Sequence, residues 1–302
     1  MLASTLKNSR LTPSKLRSMA VEMAPIVWER YSQDRKRQIE AAPLTPHPEK
    51  WSDTGVHAAW LGHSTVLLKI DGFTIITDPV FSNRIGLNVG PVTLGLKRIV
   101  APALSLELLP RPDLILLSHA HMDHFDIPTL RGLESDQTLV VTASKTQDLL
   151  RLNRYASVTE LGWGGEAYFG DVTIRAFEVR HWGARMRTDT YRGYNGYVIE
   201  TPRYRVLFGG DTAMTDTFRT VRTSRAIDLA IMPIGAYKPW LHAHCTPEQA
   251  LRMANDAGAE LILPVHHKTF QLSDEPYNEP LERLQAVTDR IALHTIGQEF
   301  AM

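Results

Sequence analysis

Ser118-His119-Ala120-His121-Met122-Asp123-His124 follows the apolar run Asp113-Leu114-Ile115-Leu116-Leu117 and packs four metal-capable side chains into six positions. In an extended segment alternate side chains share a face, so His119 and His121 point together at one cation. Asp123 and His124, past a turn, reach a second. A packed or solvated histidine needs no such company, whereas clustered His and Asp at this spacing read as ligands. The apolar run before them reads as a buried strand, which puts the cluster at a strand's end.

Three more strand ends each offer one ligand. Val179-Arg180-His181-Trp182 closes one strand, and Leu263-Pro264-Val265-His266 closes another. Phe208-Gly209-Gly210-Asp211-Thr212 closes a third, its paired glycines allowing a tight turn. Together they give His119, His121 and His181 around one ion and Asp123, His124 and His266 around the other, with Asp211 able to bridge. Two divalent cations about 3.5 to 4 Å apart lower the pKa of a shared water towards neutrality and clamp attacking and departing oxygens. Neutral imidazoles leave the cations Lewis acidic. Asp123 and Asp211 are the expected catalytic carboxylates, Asp123 also accepting a hydrogen bond from the nucleophile and orienting it.

Outward from this core, short strands and turn signals dominate. Ala58 to Leu61, Thr65 to Ile70 and Phe73 to Thr77 read as a meander, the last two joined by the hairpin signal Asp71-Gly72. Then come Leu114 to Leu117, a helix from Asp126-Ile127-Pro128, the strand Leu139 to Thr142 and a helix from Ser144 to about Leu152. A second β-rich block covers Ala167 to Phe169, Val172 to Val179, Tyr194 to Glu200 and Arg205 to Phe208. It yields to a helix, Leu229 to Met232, a helix after Thr246-Pro247-Glu248-Gln249, Leu261 to Leu263, and a last helix from about Asn278. Two successive blocks of this kind fit two mixed sheets face to face with helices outside.

Residues 1–50 differ from the rest. Leu16, Met19, Met23, Ile26, Val27 and Tyr31 recur at helical spacing, with Thr12-Pro13 as a start signal and Pro25 as a kink. This is an N-terminal helical arm, ended by the proline-rich link 41–48 and followed by a domain over 51–302. It suits packing on its own domain or on a second copy of the chain, which makes it a candidate homo-oligomer contact; peripheral contact with a membrane is the alternative. Over the whole chain 33 Lys and Arg balance 33 Asp and Glu, leaving no field to hold DNA or RNA through many phosphates. One cysteine, Cys245, allows no internal disulfide, and no secretory h-region or spanning segment is visible, so a cytoplasmic location is expected.

The pattern His119-x-His121-x-Asp123-His124, then His181, Asp211 and His266, resembles the metallo-β-lactamase fold superfamily from about Trp60 to the C-terminus. Trp60-Leu61-Gly62-His63-Ser64-Thr65, Thr77-Asp78-Pro79-Val80-Phe81, Gly210-Asp211-Thr212, Pro233-Ile234-Gly235-Ala236-Tyr237 and His266-x-x-Thr269-Phe270 narrow it further. They resemble the branch holding N-acyl-phosphatidylethanolamine phospholipase D and, more distantly, ascorbate-6-phosphate lactonase. The resemblance implies the α/β class, a four-layer αβ/βα sandwich and a dinuclear zinc site, manganese or iron serving in some relatives. It implies phospholipase D-like hydrolysis of a phosphodiester; a lactonase or other ester hydrolase on a small anionic substrate is the alternative. A non-catalytic metal-binding scaffold would use the same ligands.

Substrate choice falls to the rim, where a small-molecule or lipid-like anionic substrate is expected. Arg180, Arg185, Arg187 and Arg192 crowd the end of the His181 strand and the segment after it, and guanidinium groups pair bidentately with phosphate; the same charges also suit a solvated loop. Tyr237, Lys238 and Trp240 could supply an aromatic wall and one cation. His242-x-His244-Cys245 mimics a metal motif, but it precedes the capping box Thr246-x-x-Gln249, so its plainer role is a helix entrance with His244 near substrate. His63 suits a place supporting the ligands or lining the pocket as well as simple packing, and His267 should point away from His266.

Overall fold

The computed structural model describes residues 34, 36–89, 92–186 and 188–302. The helical reading of residues 12–31, and Arg187, lie outside the described residues. In chain order the strands are β1 (Val56–Gly62), β2 (Thr65–Ile70), β3 (Phe73–Thr77), β4 (Arg84–Val89), β5 (Val92–Lys97), β6 (Leu114–Leu116), β7 (Leu139–Ala143) and β8 (Ser157–Leu161). They continue with β9 (Glu166–Phe169), β10 (Val172–Phe177), β11 (Gly196–Glu200), β12 (Arg205–Phe208), β13 (Ile227–Pro233), β14 (Ala259–Val265) and β15 (Glu299–Ala301). The α-helices are α1 (Ile127–Gly132), α2 (Pro247–Ala257) and α3 (Glu279–Gln285).

One sheet runs β15-β1-β2-β3-β6-β7-β8 and the other β14-β13-β12-β11-β10-β9. Each is antiparallel where hairpins build it and parallel where β/α connections do. The parallel pairs are β3·β6, β6·β7 and β7·β8 in the first sheet and β12·β13 and β13·β14 in the second. Consecutive side chains on a strand face opposite ways, yet Leu67 and Leu68 on β2 are both fully buried, so both faces of the first sheet are covered. The two sheets share a core that includes Ile115 and Val140 of the first and Ile174, Ile199 and Phe208 of the second.

The second sheet's outer face carries Val198, Leu207, Ala230 and Ile262, covered by α2 through Ala250, Met253, Ala254 and Ala257 and by Leu284 of α3. The stripe of small residues on α2 lets the helix lie close. Its start is the expected capping box: Thr246 Oγ1 accepts from Gln249 N–H at 3.3 Å, and Gln249 Oε1 accepts from Thr246 N–H at 3.0 Å. Such a cap contributes about 1 kcal/mol. The fold is the metallo-β-lactamase sandwich.

Three expectations change. No helix forms over 144–152. Lys145 takes a left-handed φ of +59°, and Glu160 Oε1 accepts from the N–H groups of both Thr146 and Gln147, leaving only 3₁₀ turns at Gln147–Leu149 and Leu152–Arg154. The helix expected before β13 is likewise a 3₁₀ turn, Thr217–Val221. The hairpin β4–β5 was not anticipated; its base packs Ile85 and Leu96 against Val80, Phe270 and Leu272. Among the described residues no helix is long and apolar enough to cross a membrane.

Candidate metal centre

Parallel pairing gathers the chemistry at one rim. Thr77 pairs with Leu116, so Asp78 and Ser118 emerge side by side from β3 and β6. Phe208 pairs with Ile231 and Pro233 with Val265, so Asp211 and His266 emerge from the same edge of the second sheet. Gly210, at φ +56°, makes the turn that delivers Asp211, and a Cβ there would lie 2.8 Å from Asn195 O and 2.9 Å from Ser118 Cβ.

The structure brings all seven expected ligands together. Possible ligand atoms of His119, His121, His181 and Asp211 lie within 4.8 Å of one another, as do those of Asp123, His124, His266 and His63. Asp211 Oδ2 joins the two groups: it is 3.1 Å from Nε2 of both His124 and His266, 3.7 Å from His181 Nε2 and 4.0 Å from His119 Nε2.

Hydrogen bonds on the far sides of the rings set their tautomers. His181 Nδ1 donates to Ala243 O at 2.9 Å. Ser118 Oγ donates its one proton to Asp78 Oδ2 at 2.5 Å, so it accepts from His119 Nδ1 at 2.8 Å. His124 Nδ1 donates to the same Asp78 Oδ2 at 2.7 Å. A neutral ring that donates through Nδ1 presents a lone pair at Nε2. Asp78 therefore turns two imidazoles, one from each group, towards the centre. Sequence reasoning quoted Asp78 within a motif and gave it no role.

A cation fits these atoms. Nε2 of His119, His124 and His266 and Oδ1 of Asp211 are buried without a hydrogen-bond partner, which is costly unless something electrophilic meets them. The electrostatics agree. Burial holds His119 and His181 well below the ordinary imidazole value, and His121 at about 4, so these rings stay neutral. Burial also works against His124 and His266, yet the Asp211 carboxylate, with Asp123, outweighs it: His124 is raised well above its ordinary value and His266 to about 9. In the metal-free chain protons on these two rings occupy the place where the carboxylates demand positive charge.

Residues 74–267, which contain all seven expected ligands and Asp78, match the family model described as a beta-lactamase superfamily domain. The chain belongs to the metallo-β-lactamase superfamily. Within it the chain is 34% identical to an uncharacterized protein of Mycobacterium tuberculosis over 89% of this chain and 74% of that one. It is 30% identical to N-acyl-phosphatidylethanolamine-hydrolyzing phospholipase D 1 of Caenorhabditis elegans over 79% of this chain and 71% of the relative. Among solved structures, Igni18, a metallo hydrolase of Ignicoccus hospitalis, superposes with a TM-score of 0.63 at 20% identity, covering 82% of this chain and 99% of its own, a likeness of fold. The protein is a metal-dependent hydrolase of this superfamily.

Beside the ligands of this metallo-β-lactamase rim opens a cleft of about 270 Å³, walled by Trp182, Trp240 and Leu272, with His244 and Asp211 at its floor. No lysine or arginine is among the described residues lining it. Trp240 and His244 line this cleft, and so does Trp182, beside His181, which the sequence reading did not single out. Tyr237 and Lys238 are not in the cleft: the Tyr237 hydroxyl donates to Glu279 Oε1 at 2.8 Å, and Lys238 Nζ pairs with the same carboxylate at 2.7 Å. Two of the arginines serve loops. Arg185 donates to Ala120 O and Phe125 O, and Arg192 pairs with Asp148 and Asp189. His63 is buried against Asp123, and His267 stacks on Trp60 at 4.6 Å, away from the ligands.

Proposed function

We propose that the chain binds two divalent cations, zinc first among them, and hydrolyses a phosphodiester carrying a bulky apolar substituent. His119, His121 and His181 would hold one ion and Asp123, His124 and His266 the other, with Asp211 shared. The observation that carries this reading is the convergence of both ligand groups on Asp211 Oδ2 beside a tryptophan-walled cleft. Bound in such a pair, the cations supply an ionised water near neutral pH and draw charge from the ester oxygens.

The chain's own groups do the rest. Asp123 and Asp211, both held well below the usual carboxylate range by the adjacent imidazoles against the pull of burial, stay ionised and orient donors in the centre. His244, kept near 4 by burial, is a neutral ring whose buried Nδ1 has no partner and lies 3.9 Å from Asp211, placed to hydrogen-bond a substrate oxygen. Trp182 and Trp240, 42% and 45% exposed, offer faces for an apolar chain, consistent with a phospholipase D among the relatives.

Metal analysis of the purified protein, followed by a panel of long- and short-chain phosphodiesters, lactones and thioesters, tests this. We expect two ions per chain, loss of activity on chelation, and preference for long-chain phosphodiesters that falls about tenfold in kcat/KM for Trp240→Ala, mostly through KM. Preference for lactones would make the chain a lactonase, and a fully loaded site with no turnover across the panel would make it a scaffold.

A further inference from the structure

We propose that His63 is a positioning residue of the metal centre, donating its Nε2–H to Asp123 Oδ2 while its carbonyl fixes His266. The inference rests on the two-cation reading above. His63 opens the two-residue turn between Gly62 of β1 and Thr65 of β2, with φ +51°. A left-handed backbone is strained for a non-glycine residue, and turns of this kind ordinarily take Gly or Asn there. The surroundings hold it in place. His63 N–H donates to Thr269 Oγ1 at 2.6 Å, and His63 O accepts from Trp60 Nε1 at 2.8 Å and from the backbone N–H of His266 at 3.0 Å.

The ring is buried, 4.3 Å from the His266 ring, and meets Phe270 edge-on. Nε2 sits 3.0 Å from Asp123 Oδ2, while Nδ1 has no partner. A proton on Nδ1 would leave a buried N–H unsatisfied and set the Nε2 lone pair against an ionised oxygen, so the proton is on Nε2. That proton decides the role. Nε2 is within 4.8 Å of the ligand atoms of Asp123, His124 and His266, and as a lone pair it would be a further ligand; as a donor it aims the Asp123 carboxylate. One residue in a strained turn thus fixes two ligands of the second group, the carboxylate through its ring and His266 through its backbone.

His63→Gln keeps an N–H donor at about the reach of Nε2, and His63→Leu removes it; both carry the same backbone strain. Titrating each full-length variant with zinc against a chromophoric chelator, we expect His63→Leu to weaken one of the two ions by about 10- to 100-fold and leave the other within about threefold, with His63→Gln near wild type. Undiminished affinity in His63→Leu overturns the proposal. So does a loss in His63→Gln as large as in His63→Leu, which would make His63 a ligand. On the wild-type protein, ¹⁵N-histidine spectra of the cadmium-113 form should show metal coupling at His119, His121, His124, His181 and His266, with His63 an uncoupled Nε2–H tautomer. Coupling at His63, or an Nδ1–H tautomer, overturns the proposal without any variant having to fold. If the wild type takes up fewer than two ions, the two-cation reading fails, and the tautomer measured in the metal-free protein still decides the donor.

Discussion

Asp78 shows how much of the centre depends on a side chain outside the seven expected ligands. It accepts from Ser118 N–H at 2.7 Å, from Ser118 Oγ and from His124 Nδ1, and through Ser118 it sets the tautomer of His119. Asp78→Asn keeps the shape but replaces one accepting oxygen with a donor. If that donor faces Ser118 Oγ and His124 Nδ1, both relays break, and removal of such a partner weakens metal binding by about 10- to 100-fold. Chelator competition should show that loss with the fold intact by circular dichroism; unchanged affinity would mean the rings find their orientation elsewhere. The candidate ligands could be singled out because His119, His121, Asp123 and His124 are close in sequence at metal-binding spacing. Asp78 lies 46 residues before His124, and nothing local announces that the two meet. The same distance hid the fate of Tyr237 and Lys238, whose partner Glu279 is about 40 residues away.

At the scale of elements, the turns that leave the strands matter more than the strands. Gly210 has no room for a methyl group, since its Cβ would press on the Asn195 carbonyl and on Ser118, the middle of the Asp78 relay. Gly210→Ala should therefore cost at least about 2 kcal/mol from strain and backbone displacement and also lower metal occupancy. Thr246→Ala removes the α2 cap, which should cost about 1 kcal/mol while leaving occupancy unchanged. Urea melts and metal analysis on the pair separate a turn that places a ligand from one that only starts a helix. Strand periodicity and capping were readable because each is set by neighbours in the chain. The 144–152 segment misled for the opposite reason: Glu160 takes two of its N–H groups and Arg192 takes the Lys145 carbonyl, so its backbone is satisfied from other parts of the fold.

For the whole molecule, the balance of buried histidines fixes a pH dependence of definite sign. His63 and His267 are depressed to about 3, and His121 and His244 to about 4, each mainly by burial. In the unfolded chain these rings titrate near 6.5, so below that pH the unfolded state binds protons that the folded state refuses. Stability of the metal-free protein must then fall as pH drops from 6.5 towards 4, each ring contributing up to about 1.4 kcal/mol per pH unit. His266, raised to about 9 by Asp211 and Asp123 against burial, acts the other way, its contribution complete below 6.5 and lost as pH rises through 9. His124, raised well above its ordinary value by the same carboxylates against burial, adds to that alkaline loss. The chelated protein should accordingly be most stable near pH 6.5. Cations that replace the protons of His124 and His266 remove the alkaline loss, so zinc should stabilise far more at pH 9 than at pH 6.5, beyond what mass action alone gives. Urea denaturation of chelated and zinc-loaded protein at pH 5, 6.5 and 9 measures all three limbs. Equal stability of the chelated form at pH 5 and 6.5 would show that the buried rings protonate in place, and a zinc increment independent of pH would show that the ions bind elsewhere.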